Sequence, residues 1–434
     1  MSKSTRLPNV FWRLWSATSI SNLGDGIASV AYPWLASATT RSPFLIALIT
    51  LAQRLPWLIF TLPAGVITDR YDRKKILVLM DFCRGALTLI VVLGVVVNKS
   101  HLPALKDVVS LKETHYGLYW ILVLTALIFG MMDVLHNNTA QTILPSLVNS
   151  EHLEKANGRM GTAEALFGSF IGPPLGSLLL GFALAAPFIF DATSFFICAG
   201  LMGAISGSFR SDKPISERQN FKVEMKEGVS WLWRNKFLRD LAIILGCFNL
   251  YSSIPNAIQI FYAQEVLHTS VFIFAILGTA GAVGGILGGM LGPKVANRLG
   301  DGKSLALALA GIPIATLILG LTSSWQIAWI VFAAETFCSM LWNLITVSLR
   351  QSIIPGDLMG RVNSVYRMFA WGTIPIATLL GGAIVSIGEH FYSREIALRS
   401  TFIIAFVLGS VLFTFAAPRL TSAKIAAARE AGAK

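Results

Sequence analysis

The stretch that decides the fold is Gly65-Val66-Ile67-Thr68-Asp69-Arg70-Tyr71-Asp72-Arg73-Lys74-Lys75, a short charged segment between two apolar runs. Each run has about twenty largely apolar residues, enough for a helix to cross about 30 Å of hydrocarbon. A short polar segment between two such runs predicts a loop that joins two membrane spans. Short loops rich in Lys and Arg stay on the cytoplasmic side, which predicts the orientation of the whole chain.

The composition indicates a polytopic membrane protein. Of 434 residues, 54% are hydrophobic and 13% are charged, whereas about a quarter of a soluble domain is charged. The net charge of +12 does not indicate nucleic-acid binding, because 25 Lys and Arg residues fall in the predicted cytoplasmic segments and five in the outer loops. We predict no metal, no cofactor and no enzyme activity, because metal-ligand clusters and a complete nucleotide-binding loop are missing from the sequence.

Apolar windows predict an all-α membrane protein with twelve transmembrane helices. The predicted spans are residues 10–37, 43–66, 75–97, 117–144, 158–184, 187–209, 240–262, 271–292, 304–322, 326–349, 361–388 and 397–417. An even number of spans places both termini in the cytoplasm. The first run is too long for a signal peptide and is interpreted as a retained span.

A polar, basic segment at 210–239 divides the chain into two six-helix halves, 1–209 and 240–434. The halves repeat, because the charged segment recurs in degraded form at 295–300. The end of the connector, 227–239, combines apolar, aromatic and basic residues. It predicts an amphipathic helix on the inner membrane face.

The charged segment resembles the loop between the second and third helices of the major facilitator superfamily, Gly-x-Leu-Ala-Asp-Arg-x-Gly-Arg-Arg/Lys. The matching residues are Gly65, Asp69, Arg70, Arg73 and Lys74. Asp72 replaces the usual glycine, as in the branch of drug and siderophore exporters that includes macrolide-efflux-like and enterobactin-exporter-like proteins. The resemblance implies pseudo-symmetric halves with a substrate cavity between them. It also implies a gating role for the matching residues, with Asp69 closing the inner side.

The predicted fifth helix resembles the antiporter motif of the same superfamily. Gly168, Gly172 and Gly176 lie on one face and let another backbone approach, while Pro173 weakens the local hydrogen-bond ladder. The predicted eighth helix offers a matching set of glycines at Gly278, Gly281, Gly284, Gly285, Gly288 and Gly289. Two interpretations remain open, a flexing seam between the halves and an ordinary packing seam.

Charged residues inside predicted spans are candidates for proton coupling or for lining the cavity. Asp25 and Arg54 lie at similar depths in the first two spans, so an Asp25–Arg54 pair is geometrically possible. This pair has three open interpretations: a group whose protonation follows the transport cycle, a static ion pair, or an acid that shapes a cavity for a cationic substrate.

Other intramembrane charges are given secondary roles. Depth also pairs Arg84 with Asp133, with Arg73 as the rival partner by resemblance, and here we favour a structural role. Glu335 is the only plausible deep acid of the second half. Glu164 and Arg367, near the cytoplasmic ends of the fifth and eleventh helices, are assigned to gating or helix-end anchoring.

These features predict a secondary transporter that exports a small drug-like or siderophore-like molecule by alternating access. We expect proton coupling, a monomer, and a bacterial inner membrane as its location. One alternative is a lysophospholipid flippase, because residues 149–158 also resemble a segment of bacterial lysophospholipid transporters. A second alternative is a non-transporting receptor that has kept the fold.

Overall fold

The computed structural model describes residues 7–148, 152–207, 209, 221–355 and 358–432. These residues form helices and short connections, with no strand among them. The first eight α-helices are α1 (Asn9–Thr39), α2 (Pro43–Ile59), α3 (Thr61–Arg70), α4 (Arg73–Val97), α5 (Tyr116–Leu147), α6 (Leu153–Ala163), α7 (Gly172–Phe182) and α8 (Ala186–Gly203). A π-helix, Glu164–Ile171, joins α6 to α7, and a 3-10 helix, Leu105–Ser110, lies between α4 and α5.

The remainder of the chain begins with the connector helix. Its α-helices are α9 (Phe221–Arg234), α10 (Lys236–Ser253), α11 (Gln259–Phe261), α12 (Val271–Leu299), α13 (Asp301–Leu321), α14 (Trp325–Ile353), α15 (Met359–Gly388), α16 (Arg394–Ala416) and α17 (Ser422–Gly432). Short 3-10 turns at Pro255–Ile258 and Ala417–Arg419 and a π-helix at Tyr262–Val266 complete the described elements. The predicted connector helix is present as α9, and its location on the membrane surface stays a prediction.

Within the described residues, ten helical segments are long and apolar enough to cross a membrane. They correspond to the third to twelfth predicted spans. The predicted first span coincides with α1, whose Ser, Thr, Asn and Asp residues lower its hydropathy. The predicted second span coincides with α2, an apolar helix of 17 residues, and with α3. For these two segments the count of twelve stays a prediction.

The charged segment at 65–75 forms a hairpin, the charged hairpin, whose loop is shorter than the sequence predicts. α3 continues to Arg70 and α4 begins at Arg73, so that Tyr71 and Asp72 alone lie outside the helices. The cause is Asp72, whose carboxylate accepts hydrogen bonds from the backbone N–H groups of Lys74 and Lys75 and so caps α4. At the related site in the second half, α12 extends to Leu299 and Gly300 makes the turn with a φ of 77°.

The contacts divide the chain into two compact units. The first contains Met1–Ser42, Ala52–Lys213 and Ser270–Thr279, and the second contains Pro43–Leu51, Pro214–Thr269 and Ala280–Lys434. In the first unit, α4 packs against α5 and α8, and α1 packs against α7 and α8. In the second, α13 packs against α14 and α16, and α10 against α15. The pairing of helices therefore repeats within each unit, while the predicted boundary at 210–239 stays a prediction.

Candidate functional site

Asp25 lies near the middle of the 31-residue α1, between two glycines that bring this helix close to its neighbours. A Cβ on Gly24 would lie 2.1 Å from Ser194 Oγ on α8, and a Cβ on Gly26 would lie 2.4 Å from the carbonyl oxygen of Gly168. Only glycine permits both approaches. The Asp25 side chain itself is exposed. An exposed carboxylate thus lies in the middle of a predicted span, between two buried glycines.

The Asp25–Arg54 ion pair that helix depth allows does not form in the described chain. Arg54 is exposed, and no hydrogen bond or salt bridge joins it to Asp25, although both residues are in the described part of the chain. Instead, Asp25 is close enough to Arg84 and Asp133 to interact with them electrostatically. Counting residues along two helices gives their depths, but it does not give the direction in which a side chain leaves each helix.

Arg84 is the centre of the polar site in the first unit. Its guanidinium is 2% exposed, and one nitrogen lies 3.0 Å from Asp133 Oδ1 and the other 3.7 Å from Asp81 Oδ1. The rings of Phe129 and Phe195 flank the guanidinium, with their centroids 5.5 Å and 5.3 Å from its carbon. The predicted Arg84–Asp133 pair is therefore confirmed.

Arg73, the alternative partner of Asp133 in the sequence analysis, makes a different contact. The backbone N–H of Arg73 donates to the carbonyl oxygen of Phe209. Arg73 and Asp133, both described, do not pair with each other. Eleven residues of helix separate Arg73 from Arg84, which places the two arginines about 16 Å apart along α4.

The sequence analysis missed two further members of the site, Asp81 and His136. Asp81 is fully buried, and its Oδ1 lies 3.2 Å from His136 Nε2. The Asn137 amide donates to Asp133 Oδ1 at 2.9 Å and holds that carboxylate against Arg84. A signal was available, because Asp81 stands three residues before Arg84 and occupies the same face of a helix.

Asp191 on α8 was also missed. Its side chain is 3% exposed, and within the described chain its Oδ1 has no hydrogen-bond partner. It lies against Gly24 and beside Thr88. The sequence signal was a single acid in an otherwise apolar 18-residue helix.

We call these six residues the charge cluster: Asp25, Asp81, Arg84, Asp133, His136 and Asp191. Asp81 and Asp133 contact the guanidinium, Asp81 also contacts the imidazole, and Asp25 and Asp191 interact with the charge of Arg84 over a longer distance. The protonation of one acid therefore affects that of the others. Asp25 is exposed and Asp133 is 33% exposed, while Asp81, Arg84 and Asp191 are buried. The cluster therefore combines exposed and buried acids around one buried guanidinium.

The predicted fifth span corresponds to α6, the π-helix and α7, and we call its residues Gly168, Gly172, Pro173 and Gly176 the helix-five motif. This motif makes a close contact with α1. A Cβ on Gly172 would lie 2.6 Å from Gly26 Cα, and one on Gly176 would lie 2.5 Å from the Ile27 carbonyl oxygen, whereas Gly168 is 3.6 Å from its nearest atom. Pro173 and Pro174 lack N–H donors. The preceding residues form the π-helix, a widened turn that is frequent at functional sites.

Gly284 and Gly288 of α12, expected to be part of the mate of this motif, make close contacts within the second unit, and the contact of the α12 glycines with the fifth span stays a prediction. A Cβ on Gly284 would lie 2.1 Å from the Ala333 carbonyl oxygen, and one on Gly288 would lie 2.6 Å from Met340 Cβ. Both contacts are with α14. The closest contacts of the α12 glycines are thus a packing seam inside the second unit.

Four other predicted site residues, Glu335, Glu164, Asp69 and Arg367, are not members of the charge cluster. Glu335 on α14 is half-buried, and no described residue pairs with it. Its electrostatic neighbours are Tyr251 and Cys338. Glu164 is exposed at the first position of the π-helix. The side chains of Asp69 and Arg367 lie outside what the structure describes.

The charged hairpin is hydrogen-bonded to the segment that follows α8. Asp72 Oδ2 accepts a hydrogen bond from the Phe209 N–H at 3.0 Å, and the Lys74 ammonium donates to the Ile205 carbonyl oxygen at 2.8 Å. Gly65 has no neighbour within 4 Å of a Cβ position, and Arg70 is exposed. The gating role of these residues stays a prediction.

A family-wide pattern accounts for most of the chain. The profile of the Major Facilitator Superfamily matches residues 14–376. The chain belongs to the Major Facilitator Superfamily. It is an integral membrane transporter of the class that moves small molecules, and its helical fold agrees with that membership.

Relatives within the superfamily include exporters. The uncharacterized MFS-type transporter YkuC of Bacillus subtilis is 26% identical over 423 residues, covering 92% of this chain and 91% of YkuC. Macrolide efflux protein A of Streptococcus pyogenes is 23% identical and covers 85% of this chain and 88% of its own length. The enterobactin exporter EntS of Citrobacter koseri is 24% identical and covers 86% and 84%, respectively.

Solved structures share the fold at lower identity. The nucleoside transporter NupG superimposes with a TM-score of 0.66 at 12% identity, over 95% of this chain and 99% of that chain. A bacterial homologue of the iron transporter ferroportin superimposes with a TM-score of 0.67 at 15% identity, over 94% and 100%. These similarities support the major facilitator fold and do not identify a substrate.

Proposed function

We propose that this transporter exports a small amphipathic molecule, drug-like or siderophore-like, by alternating access driven by the proton gradient. The observation that carries the proposal is the exposed Asp25 carboxylate beside the buried Arg84. The resemblance to macrolide efflux protein A and to enterobactin exporters supports export as the direction.

The proposed coupling uses the unequal exposure of the charge cluster. A charge in the middle of a span costs about 2.5–3.5 kcal/mol on insertion scales, so such a residue is retained for pairing or function. Asp25 and Asp133 are the more exposed acids of the cluster, and Asp133 already forms an ion pair with Arg84. Protonation of Asp25 removes one of the negative charges near Arg84. The transport cycle then alternates between two charge states of one buried cluster.

The exporter proposal is tested in efflux-deficient bacteria that express wild type, Asp25→Asn or Asp107→Asn. Asp107 is an exposed acid in the 3-10 helix between α4 and α5, outside the predicted spans, which makes it the matched control. We expect wild type and Asp107→Asn to lower the accumulation of at least one macrolide, dye or catecholate siderophore. A proton uncoupler and Asp25→Asn should each abolish this effect.

The outcomes separate export from coupling. Normal transport by Asp25→Asn with the wild-type pH dependence would eliminate Asp25 as the coupling group. A wild-type protein that is present in the membrane but lowers the accumulation of none of the compounds contradicts export of a drug-like molecule. Labelled lysophospholipids, which move without a pH gradient in a flippase, would then be measured in the same cells.

The hairpin gate, the inner-membrane location, the cytoplasmic termini and the monomeric state belong to the same proposal. Asp69→Asn should increase the accessibility of cysteine probes in the inner cavity if Asp69 holds the inner side closed.

The topology is tested with Lys99→Cys in the outer loop and Lys226→Cys on α9, both at exposed positions. A membrane-impermeant maleimide should label the first in intact cells and the second only after permeabilisation, and the reverse pattern would invert the topology.

A further inference from the structure

A groove between α4 and α8 in the first unit combines two lysines with an apolar wall. It has a volume of about 350 Å³ and is lined by Lys74, Lys75, Val78, Leu79, Phe82 and Gly203. We call it the α4–α8 groove. It shares no residue with the charge cluster, because Asp81, the neighbour of Phe82 in α4, is buried while Phe82 is exposed.

The lining changes character along α4. The lysines occupy the first turn, and Leu79 and Phe82, which are 56% and 57% exposed, follow one and two turns later. At 1.5 Å per residue, Phe82 lies about 10 Å further along the helix axis than Lys75. The Phe82 ring packs edge-on against Phe196 of α8 with centroids 5.5 Å apart. The groove therefore presents cations at one end and hydrocarbon at the other.

At the cationic end of the groove, a hydrogen bond fixes the position of one of the two lysines. The Lys74 ammonium donates to the Ile205 carbonyl oxygen at 2.8 Å, which sets its position at the end of α8. The exposed Lys75 ammonium has no partner among the described residues. The nearby Asp72 carboxylate accepts hydrogen bonds from the backbone N–H groups of Lys74, Lys75 and Phe209 rather than from either ammonium.

Gly203 keeps the opposite side of the groove open. A Cβ at this position would meet no atom within 4 Å. A larger side chain here would enter the groove without displacing the backbone. This position therefore provides a way to fill the groove without changing its charges.

We propose that the α4–α8 groove binds an anionic phospholipid, with the phosphate on Lys74 and Lys75 and an acyl chain along Val78, Leu79 and Phe82. The apolar wall favours a lipid over free phosphate, because a phosphate ion would leave it uncovered. Two lysines favour an anionic headgroup over a zwitterionic one, because the carboxylate of Asp72 is already engaged. Basic residues at the cytoplasmic membrane surface attract anionic lipids in this way.

The test is native mass spectrometry of the full-length, delipidated protein in detergent, titrated with dioleoyl phosphatidylglycerol or dioleoyl phosphatidylcholine. The groove variants are Lys75→Gln, Lys74→Gln/Lys75→Gln and Gly203→Trp. The matched controls are Lys226→Gln, which removes an exposed lysine from α9, and Gly181→Trp, which adds the same side chain at another open glycine. All variants are compared at equal monodispersity on size exclusion.

We expect one tightly bound phosphatidylglycerol per chain in wild type and in both controls. Removing both lysines should weaken binding roughly 30-fold, about fivefold for each lysine, and Lys75→Gln alone should give about the single step. Gly203→Trp should reduce occupancy with the charges intact. Equal binding of the two lipids, unchanged binding in the groove variants, or displacement by inorganic phosphate would overturn the proposal.

Discussion

Arg84 in the first unit and Arg394 in the second are each held by two carboxylates, yet they lie at different places in their helices. Arg84 is the twelfth residue of α4 and is 2% exposed. Arg394 is the first residue of α16 and is 31% exposed, with nitrogens 2.5 Å from Glu265 Oε2 and 2.5 Å from Glu389 Oε1. A buried ion pair in mid-helix needs good geometry to offset the cost of removing its charges from water, whereas a pair at a helix end stays partly hydrated.

The difference extends to the other charges of the two units. In the second unit, further pairs also join helix ends, as Arg429 does with Asp301 at 2.8 Å. The deep acid of this unit, Glu335, has no ion pair in the described chain. This contrast indicates that ion pairs fasten the helix ends of the second unit, while the first unit keeps a polar site inside its helices.

The largest expected effect comes from removing the two arginines. Arg84→Met leaves two carboxylates without their cation, and we expect the free energy of unfolding to fall by roughly 3–5 kcal/mol. Arg394→Met should cost about 1 kcal/mol, because its partners remain partly exposed to water. Chemical unfolding of both variants in the same detergent measures the difference, and equal losses would remove the distinction between the units.

The glycines of the helix-five motif provide a sharper comparison inside the first unit. Gly172→Ala places a methyl group 2.6 Å from Gly26 Cα and 2.7 Å from the Phe167 carbonyl oxygen. We expect a loss of about 1–3 kcal/mol in stability and lower transport. Gly168→Ala, with its nearest atom at 3.6 Å, is the matched control and should behave like wild type. A Gly172→Ala protein as stable as Gly168→Ala would contradict the close contact with α1.

Neutralising one acid in each unit should have opposite consequences. Asp133→Asn weakens the pair with Arg84 and should lower the free energy of unfolding by about 1–3 kcal/mol. Glu335→Gln removes a charge without an ion-pair partner among the described residues, so stability should stay the same or rise by about 1 kcal/mol. Thermal unfolding followed by circular dichroism distinguishes the two, and a comparable loss in Glu335→Gln would reveal a partner for this acid.

The smallest expected difference separates two helix caps. Asp72 caps α4 and also accepts from the Phe209 N–H, whereas Asn235 caps α10 through Leu238 alone. We expect about 1 kcal/mol of lost stability for Asn235→Ala. Asp72→Ala should lose about 0.5–1.5 kcal/mol more, from the additional hydrogen bond. Hydrogen exchange at the Phe209 amide should accelerate in Asp72→Ala only, and unchanged exchange would show that this bond does not hold the end of α8.

Several features of the site were predictable because they depend on local sequence. Arg84 and Asp133 were paired by depth alone, and the structure confirms the contact. The glycines around the fifth span were identified as a close-approach face, and Gly172 and Gly176 make that approach. The glycine prediction succeeded because spacing along one helix determines which residues share a face. The Arg84–Asp133 pair also required the two side chains to face each other, which depth does not determine.

Other features were not predictable by the same reasoning. Asp25 and Arg54 have similar depths but form no ion pair in the described chain, and Gly284 and Gly288 of α12 pack on α14. Asp81 and Asp191 were overlooked although each is an acid within an apolar helix. For Asp25 and Arg54 the missing information was the rotation of one helix relative to its neighbour, whereas Asp81 and Asp191 each had a sequence signal that was not used.

The sequence by itself determined the membrane class, ten of the spans, the charged hairpin and the membership of the Major Facilitator Superfamily. These properties follow from hydrophobicity, segment length and charge, which add up along the chain and need no partner. Only the tertiary structure decided which carboxylates share Arg84, that α1 supplies the contact for the helix-five glycines, and that α4 and α8 enclose a groove. These properties depend on which face each helix presents, and packing of side chains between helices sets that face.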